Sequence, residues 1–213
     1  APQAATLQGM IEAATGGQVP LDKYVVGAVV GGLLTLGAGT HRFTLNPDTG
    51  EFCLTESDIR IPQDTHEFAI NTSNFRRWDG HVRAYVDDCL KGAEGPHGKN
   101  YNTRWIASLV AECHRIMVRG GIFLYPGDRR PDYRSGRLRL AYECNPIAFL
   151  VEQAGGASTT GTERIMDIEP QDIHERVPLI FGSRNEVRLV EKNGELGGWL
   201  ARQHRTVPTR PPY

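Results

Sequence analysis

The chain has 213 residues, enough for one large domain or two small ones with a substantial core. Its 24 basic and 25 acidic residues leave a net charge of −1, so nothing electrostatic argues for nucleic acid or an anionic membrane as a partner. No run reaches the roughly 18–20 apolar residues of a membrane span, and the most apolar stretch, Tyr24 to Leu36, is broken by Gly27, Gly31 and Gly32. Cys53, Cys89, Cys113 and Cys144 are widely spaced, with no C-x-x-C pair. They read as buried free thiols, and a reducing, cytoplasmic compartment is expected. The opening Ala1-Pro2-Gln3 has neither an initiator Met nor a basic leader segment, which reads as a cut or processed start.

In chain order, 1–17 is rich in Ala, Gly and Gln and is expected to be an arm outside the main domain. The Val content of Tyr24 to Leu36 favours strand over helix. Thr40 to Leu45, the turn Asn46-Pro47-Asp48-Thr49-Gly50, and Glu51 to Leu54 predict a hairpin. Asp48 belongs to that turn rather than to a metal loop. Glu67 to Asn71 predicts a short strand ending in the polar run Asn71-Thr72-Ser73-Asn74. Trp78 to Leu90 puts Val82, Tyr85, Val86 and Cys89 on one face, the pattern of an amphipathic helix. Two polar loops follow, Ala93 to Asn102 and, further on, Gly127 to Gly136, the latter dense in Arg and Asp.

Between 102 and 156 the pattern predicts helix, strand, strand, helix. Ile106, Leu109, Val110, Cys113 and Met117 recur at steps of three and four, with Asn102 or Thr103 to cap the start and Gly120 to end the helix. Ile122 to Tyr125 reads as a buried strand stopped by Pro126. Arg137 to Glu143 alternates charged and apolar residues, which predicts a strand with one charged face. Asn145-Pro146 then starts a helix that Gly155-Gly156 ends. Ala157 to Thr160, Ile165 to Ile168 and Val177 to Phe181 are further strand candidates. Ser183-Arg184-Asn185-Glu186 has the capping-box pattern for a helix to about Lys192, and 194–213 reads as an extended, Pro-containing tail. Strand and helix alternate, so the expected class is α/β (α+β), a mixed β-sheet flanked by helices.

Familiar catalytic signatures are missing. Ser108 and His114 share a helix six residues apart, on different sides, with no G-x-S-x-G elbow. The Gly pairs at 120–121 and 155–156 are helix ends, and no G-x-x-x-x-G-K-[ST] loop occurs.

The words RWIASLVAECHR, GGIFLYP, LRLAYECNP and VEQAGGASTTG, in this order, resemble the C-terminal half of class I fructose-1,6-bisphosphatases of the proteobacterial type. The resemblance extends over 18–193, which makes that span the expected domain. It implies the C-terminal half of the layered α-β-α-β-α sandwich of the sugar phosphatases. It also implies metal-dependent hydrolysis of fructose 1,6-bisphosphate to fructose 6-phosphate, a reaction of gluconeogenesis and the Calvin cycle, in a homo-oligomer (dimer or tetramer). The cofactor implied is Mg2+ (or Mn2+). Glu143 matches the family's metal-binding Glu; on spacing alone it is an acid at a helix start. Asn71, Asn74, Arg104, Tyr125 and Arg137 match residues that bind the sugar phosphate, Arg104 by reaching into a neighbouring subunit. Arg137 stands where the family has a Lys, and Trp105 and Asn74 stand at Tyr positions. The family's Asp-Pro-Leu-Asp-Gly-Ser-type metal motif does not occur in the sequence. The chain is therefore expected to supply the sugar-phosphate side of the site and one metal ligand, and a complementary N-terminal half to supply the rest. The competing expectation is a non-catalytic sugar-phosphate-binding or docking module.

Overall fold

The computed structural model describes residues 31–192. The expectations for 1–17 and 194–213, and for most of Tyr24 to Leu36, lie outside these residues. Strands β1 (Gly31–Thr35), β2 (Thr40–Asn46) and β3 (Glu51–Glu56) form an antiparallel meander in the order β1-β2-β3, with the expected hairpin turn between β2 and β3. The central sheet has five strands: β4 (Glu67–Ile70), β5 (Asn102–Thr103), β6 (Ile122–Tyr125), β8 (Ala157–Thr159) and β10 (Leu179–Gly182). Their order is β5-β4-β6-β10-β8, parallel from β5 to β6 and antiparallel beyond. A two-stranded ladder pairs β7 (Leu138–Arg139) with β9 (Arg176–Val177).

Helices cover both faces of the central sheet, so β4, β6 and β10 are apolar almost without alternation. On one face, α1 (Gly80–Leu90) and the helix over 184–192 bury Val82, Tyr85, Val86, Val187 and Val190 against Phe68, Ile70, Ile122, Leu124 and Ile180. On the other, α2 (Leu109–Arg119) and α3 (Asn145–Gln153) bury Cys113, Ile116, Met117, Ala148 and Val151 against Ala69, Phe123 and Phe181. The meander lies outside α3, where the Thr40 hydroxyl donates to Leu150 O (2.8 Å) and Gly39 N to Gln153 Oε1 (3.1 Å). The result is the expected mixed sheet between helices. Among the described residues no helix is long and apolar enough to cross a membrane, and all four cysteines are free.

Several elements depart from the sequence pattern. Asn102 and Thr103 do not cap α2; they pair with Glu67 and Phe68 as β5. The cap is Ser108, whose Oγ accepts from Ala111 N at 3.5 Å. Ala107 reverses the chain at φ +62°, which keeps Ile106 off the helix, and Ile106 N donates instead to the buried Glu112 Oε1 (2.6 Å). Ile106 is 49% exposed, and Val110, although within α2, is 40% exposed. Gly120 ends the helix as expected, at φ +77°.

Arg137 to Glu143 is not one strand. Only Leu138–Arg139 pairs; Leu140–Cys144 coils into a π-helical turn that runs straight into α3. The reason is local: the Glu143 carboxylate accepts the Arg139 backbone N–H (2.8 Å), a bond that an extended chain could not make. Asn145 is consequently helical rather than a cap. Ile165–Asp167 is a 3-10 turn, not a strand. Pro178, which has no N–H to give a ladder, splits the expected last strand into β9 and β10.

Candidate functional site

The parallel neighbours β4 and β6 end side by side, and beyond their carboxyl ends lies a cleft. Open α/β sheets use such crevices for ligands. It is lined by Ile70, Asn71, Asn74, Trp78, Leu124, Tyr125, Pro126, Asp128 and Arg137. Asn71 follows β4 directly and caps the 3-10 turn Thr72–Arg77, its Oδ1 accepting from Ser73 N (3.1 Å) and Ser73 Oγ (2.6 Å). Asn74 sits within that turn, its Oδ1 accepting from Arg130 Nη2 (3.4 Å). Tyr125 is the last residue of β6, and Arg137 precedes β7. Gly136 lets the chain reach that position. Its φ is +87°, and a Cβ there would come within 2.1 Å of the Val177 backbone.

The chemistry of this lining is one-sided. Both asparagine oxygens are taken by protein donors, which leaves their N–H2 groups to face a ligand. The Tyr125 hydroxyl has no hydrogen-bond partner among the described residues, and Arg137 has no ion pair among them. The one carboxylate in the lining, Asp128, is buried and held by Arg130 through Nε (2.9 and 3.0 Å to its two oxygens) and Nη2. Those bonds hold the Asp128 carboxyl below the usual carboxylate range. The cleft thus presents donors and an unpaired guanidinium, the surface an anion with several acceptor oxygens requires. Four of the five residues expected to bind the sugar phosphate, Asn71, Asn74, Tyr125 and Arg137, meet here.

Two expected site residues lie elsewhere. Arg104 follows β5, and its Nε reaches Glu67 Oε1 at 3.4 Å. Arg115 (2.7 Å) and Arg119 (2.6 Å) bind the same carboxylate more closely. Trp105 ties this loop back toward the cleft by stacking nearly parallel to Phe123 and Tyr125, with centroids 5.8 and 6.4 Å apart. Glu143 is on the π-helical turn, where its Oε2 accepts from Arg139 N (2.8 Å) and Arg139 Nη1 (3.2 Å); its Oε1 has no donor among the described residues. That free carboxylate oxygen suits a hard divalent cation in kind. It does not suffice in number, since no group of three or more His, Cys, Asp or Glu among the described residues could hold a metal.

Sequence reasoning missed Asp128, Arg130 and Tyr133. Their one signal was the density of Arg and Asp in the loop 127–136, which marks a polar segment without saying what its charges face.

All the cleft residues fall inside a single match: the family described as fructose-1-6-bisphosphatase, C-terminal domain, aligns with residues 61–194. The chain belongs to this family. A class 1 fructose-1,6-bisphosphatase of Methylibium petroleiphilum is 56% identical over 159 residues, 75% of this chain and 44% of that protein. One of Hydrogenophilus thermoluteolus is 56% identical over 160 residues, covering 75% and 45%. The chain therefore spans less than half the length of these relatives. The crystal structure of Leishmania major fructose-1,6-bisphosphatase in holo form superposes with a TM-score of 0.73 at 37% identity, over 79% of this chain and 50% of that one. The mixed sheet and its flanking helices are thus the fold of the fructose-1,6-bisphosphatase C-terminal domain.

Proposed function

We propose that this chain supplies the sugar-phosphate side of a fructose 1,6-bisphosphate phosphatase site, with the phosphate remote from the scissile bond seated among Asn71, Asn74, Tyr125 and Arg137. The observation that carries this reading is the donor-rich cleft itself. Four side chains assigned from family resemblance, brought from three separate segments of the chain, line it together. Asn71 and Asn74 donate amide N–H groups, Tyr125 donates its hydroxyl, and Arg137 offers a planar fork that can meet two phosphate oxygens at once. These contacts bind and orient the sugar.

Glu143 contributes one carboxylate oxygen toward a divalent cation, Mg2+ or Mn2+, whose other protein ligands come from outside residues 31–192. When bound, such a cation neutralises phosphoryl oxygens and activates water. Arg139 holds the Glu143 carboxylate in place for that role through its backbone N–H and its guanidinium. Arg104 serves a neighbouring subunit of a homo-oligomer, a dimer or tetramer.

Fructose 6-phosphate, the expected product, tests the cleft directly. Calorimetric titration is expected to give an affinity that Mg2+ and EDTA leave nearly unchanged, because the grip on this phosphate uses no metal. Arg137→Ala is expected to weaken it by roughly 1.5–3 kcal/mol, the scale of a charged hydrogen bond. Equal affinity in the two proteins would contradict the assignment.

A further inference from the structure

The segment joining β6 to β7 makes more specific contacts than a surface loop needs. We infer that Tyr133 is a positioning residue that sets the guanidinium of Arg137 at the cleft, with Asp128 and Arg130 holding the ring in place. This rests on the reading of the cleft as a sugar-phosphate site and adds to it the residues that pre-order its cation.

Arg137 has no carboxylate partner among the described residues. Its one defined contact is with Tyr133, whose ring centroid lies 3.8 Å from the Arg137 guanidinium carbon. A free arginine samples many rotamers and loses that freedom on binding, so a stacked one starts closer to its bound state. Stacking on an aromatic face also fixes the plane of the fork, which an ammonium could not exploit.

Tyr133 does not line the cleft and is itself fixed on several sides. Asp128 N donates to Tyr133 O (3.0 Å), Gly136 N donates to the same carbonyl (3.1 Å), and Tyr133 N donates to Arg130 O (3.0 Å). The Arg130 guanidinium carbon lies over the same ring, 4.4 Å from its centroid. Arg130 is fixed in turn by Asp128, and it also reaches Asn74 Oδ1. Arg129 N donates to Arg77 O (3.1 Å), and Trp78 and Asp128 form an antiparallel bridge, which together dock the loop on the turn that carries Asn74. Asp128 is ion-paired with Arg130, while Arg137 has no ion pair among the described residues.

The test is a double-mutant cycle read by fructose 6-phosphate titration of the 213-residue chain. Tyr133→Leu is expected to weaken binding about tenfold, the scale of a lost cation–π contact together with lost pre-ordering. Tyr133→Phe, which keeps the ring, is expected to stay within about twofold of the parent. In an Arg137→Ala background, Tyr133→Leu is expected to have no further effect. If Arg137→Ala weakens binding but Tyr133→Leu does not, or if the two effects multiply, the inference fails while the cleft assignment stands. If Arg137→Ala leaves affinity unchanged, the cleft assignment fails and takes the inference with it.

A second readout does not depend on the Leu variant folding. The Arg137 Nε–Hε resonance, assigned by its loss in Arg137→Lys, is expected to be ring-current shifted and ordered before ligand is added. A motionally averaged signal at the usual arginine position would overturn the inference.

Discussion

Arg104 shows how a residue's neighbours constrain its role. Its side chain is 49% exposed, and its 3.4 Å bond to Glu67 is the weakest of the three that carboxylate accepts. Glu67 keeps Arg115 and Arg119 when Arg104 is removed, so Arg104→Ala is expected to leave the melting temperature nearly unchanged, as for other exposed ion pairs. If Arg104 serves a neighbouring subunit as proposed, its effect is expected instead on fructose 6-phosphate affinity, a loss of roughly 1.5–3 kcal/mol. A lower melting temperature with unchanged affinity would make Arg104 structural. Resemblance could single out Tyr125 and Arg137 because each sits in or beside a long, recognisable word. It could not expose Tyr133 or Arg130. Their roles are set by where a folded loop puts a ring and a guanidinium, and a polar loop has no periodicity from which to read that. Three of the four thiols were legible for a simpler reason; Cys53, expected to be buried as well, is only half-buried on β3. Apolar spacing marked Cys89 and Cys113 as core, and burial pushes the Cys89, Cys113 and Cys144 thiols up to about 12.

At the scale of elements, strong periodicity gave correct helices and strands, and competing hydrogen bonds explain several of the misses. The capping-box pattern Ser183 to Glu186 is an instance. The helix over 184–192 exists, but neither side chain makes the expected reciprocal bond. Ser183 Oγ accepts from Gly121 N across the sheet (3.2 Å). Glu186 is fully buried and accepts from Tyr85 (2.7 Å), Tyr101 (2.9 Å) and Lys99 (2.5 Å). Burial, aided by the Glu186 carboxylate, raises the pKa of both phenols, which keeps them protonated as donors. Through these bonds one carboxylate fastens the loop 93–101 to α1 and to the last helix. Glu186→Ala would orphan three buried or half-buried donors, and is expected to cost about 3 kcal/mol of stability in urea unfolding, in line with other broken buried ion pairs. Glu186→Gln, which retains hydrogen-bonding capacity, is expected to cost less. Equal melting of Glu186→Ala and the parent would mean that the loop is held by its apolar contacts alone. The π-helical turn at Leu140–Cys144 was illegible for the same kind of reason: alternation in the sequence was overridden by one side-chain bond from Glu143 to the Arg139 amide.

At the scale of the molecule, the proposed function implies a division of labour between this chain and a complementary half. The described residues build a cleft lined by hydrogen-bond donors and an unpaired guanidinium, and leave one carboxylate oxygen on Glu143 without a donor. They hold no cluster of ligands that would position a cation by itself. The mixed sheet was legible because its strands are short apolar runs between clear breakers, while the source of the remaining metal ligands is not written in these residues. Phosphate release from fructose 1,6-bisphosphate at millimolar Mg2+ tests this most directly, with the purified 213-residue chain measured alone and again with the complementary N-terminal half of a close relative. No turnover is expected alone, and Mg2+-dependent turnover, lost on Glu143→Gln while fructose 6-phosphate binding survives, is expected on reconstitution. Failure of reconstitution with intact fructose 6-phosphate binding would favour a binding module. Robust turnover by the chain alone would contradict the division of labour outright.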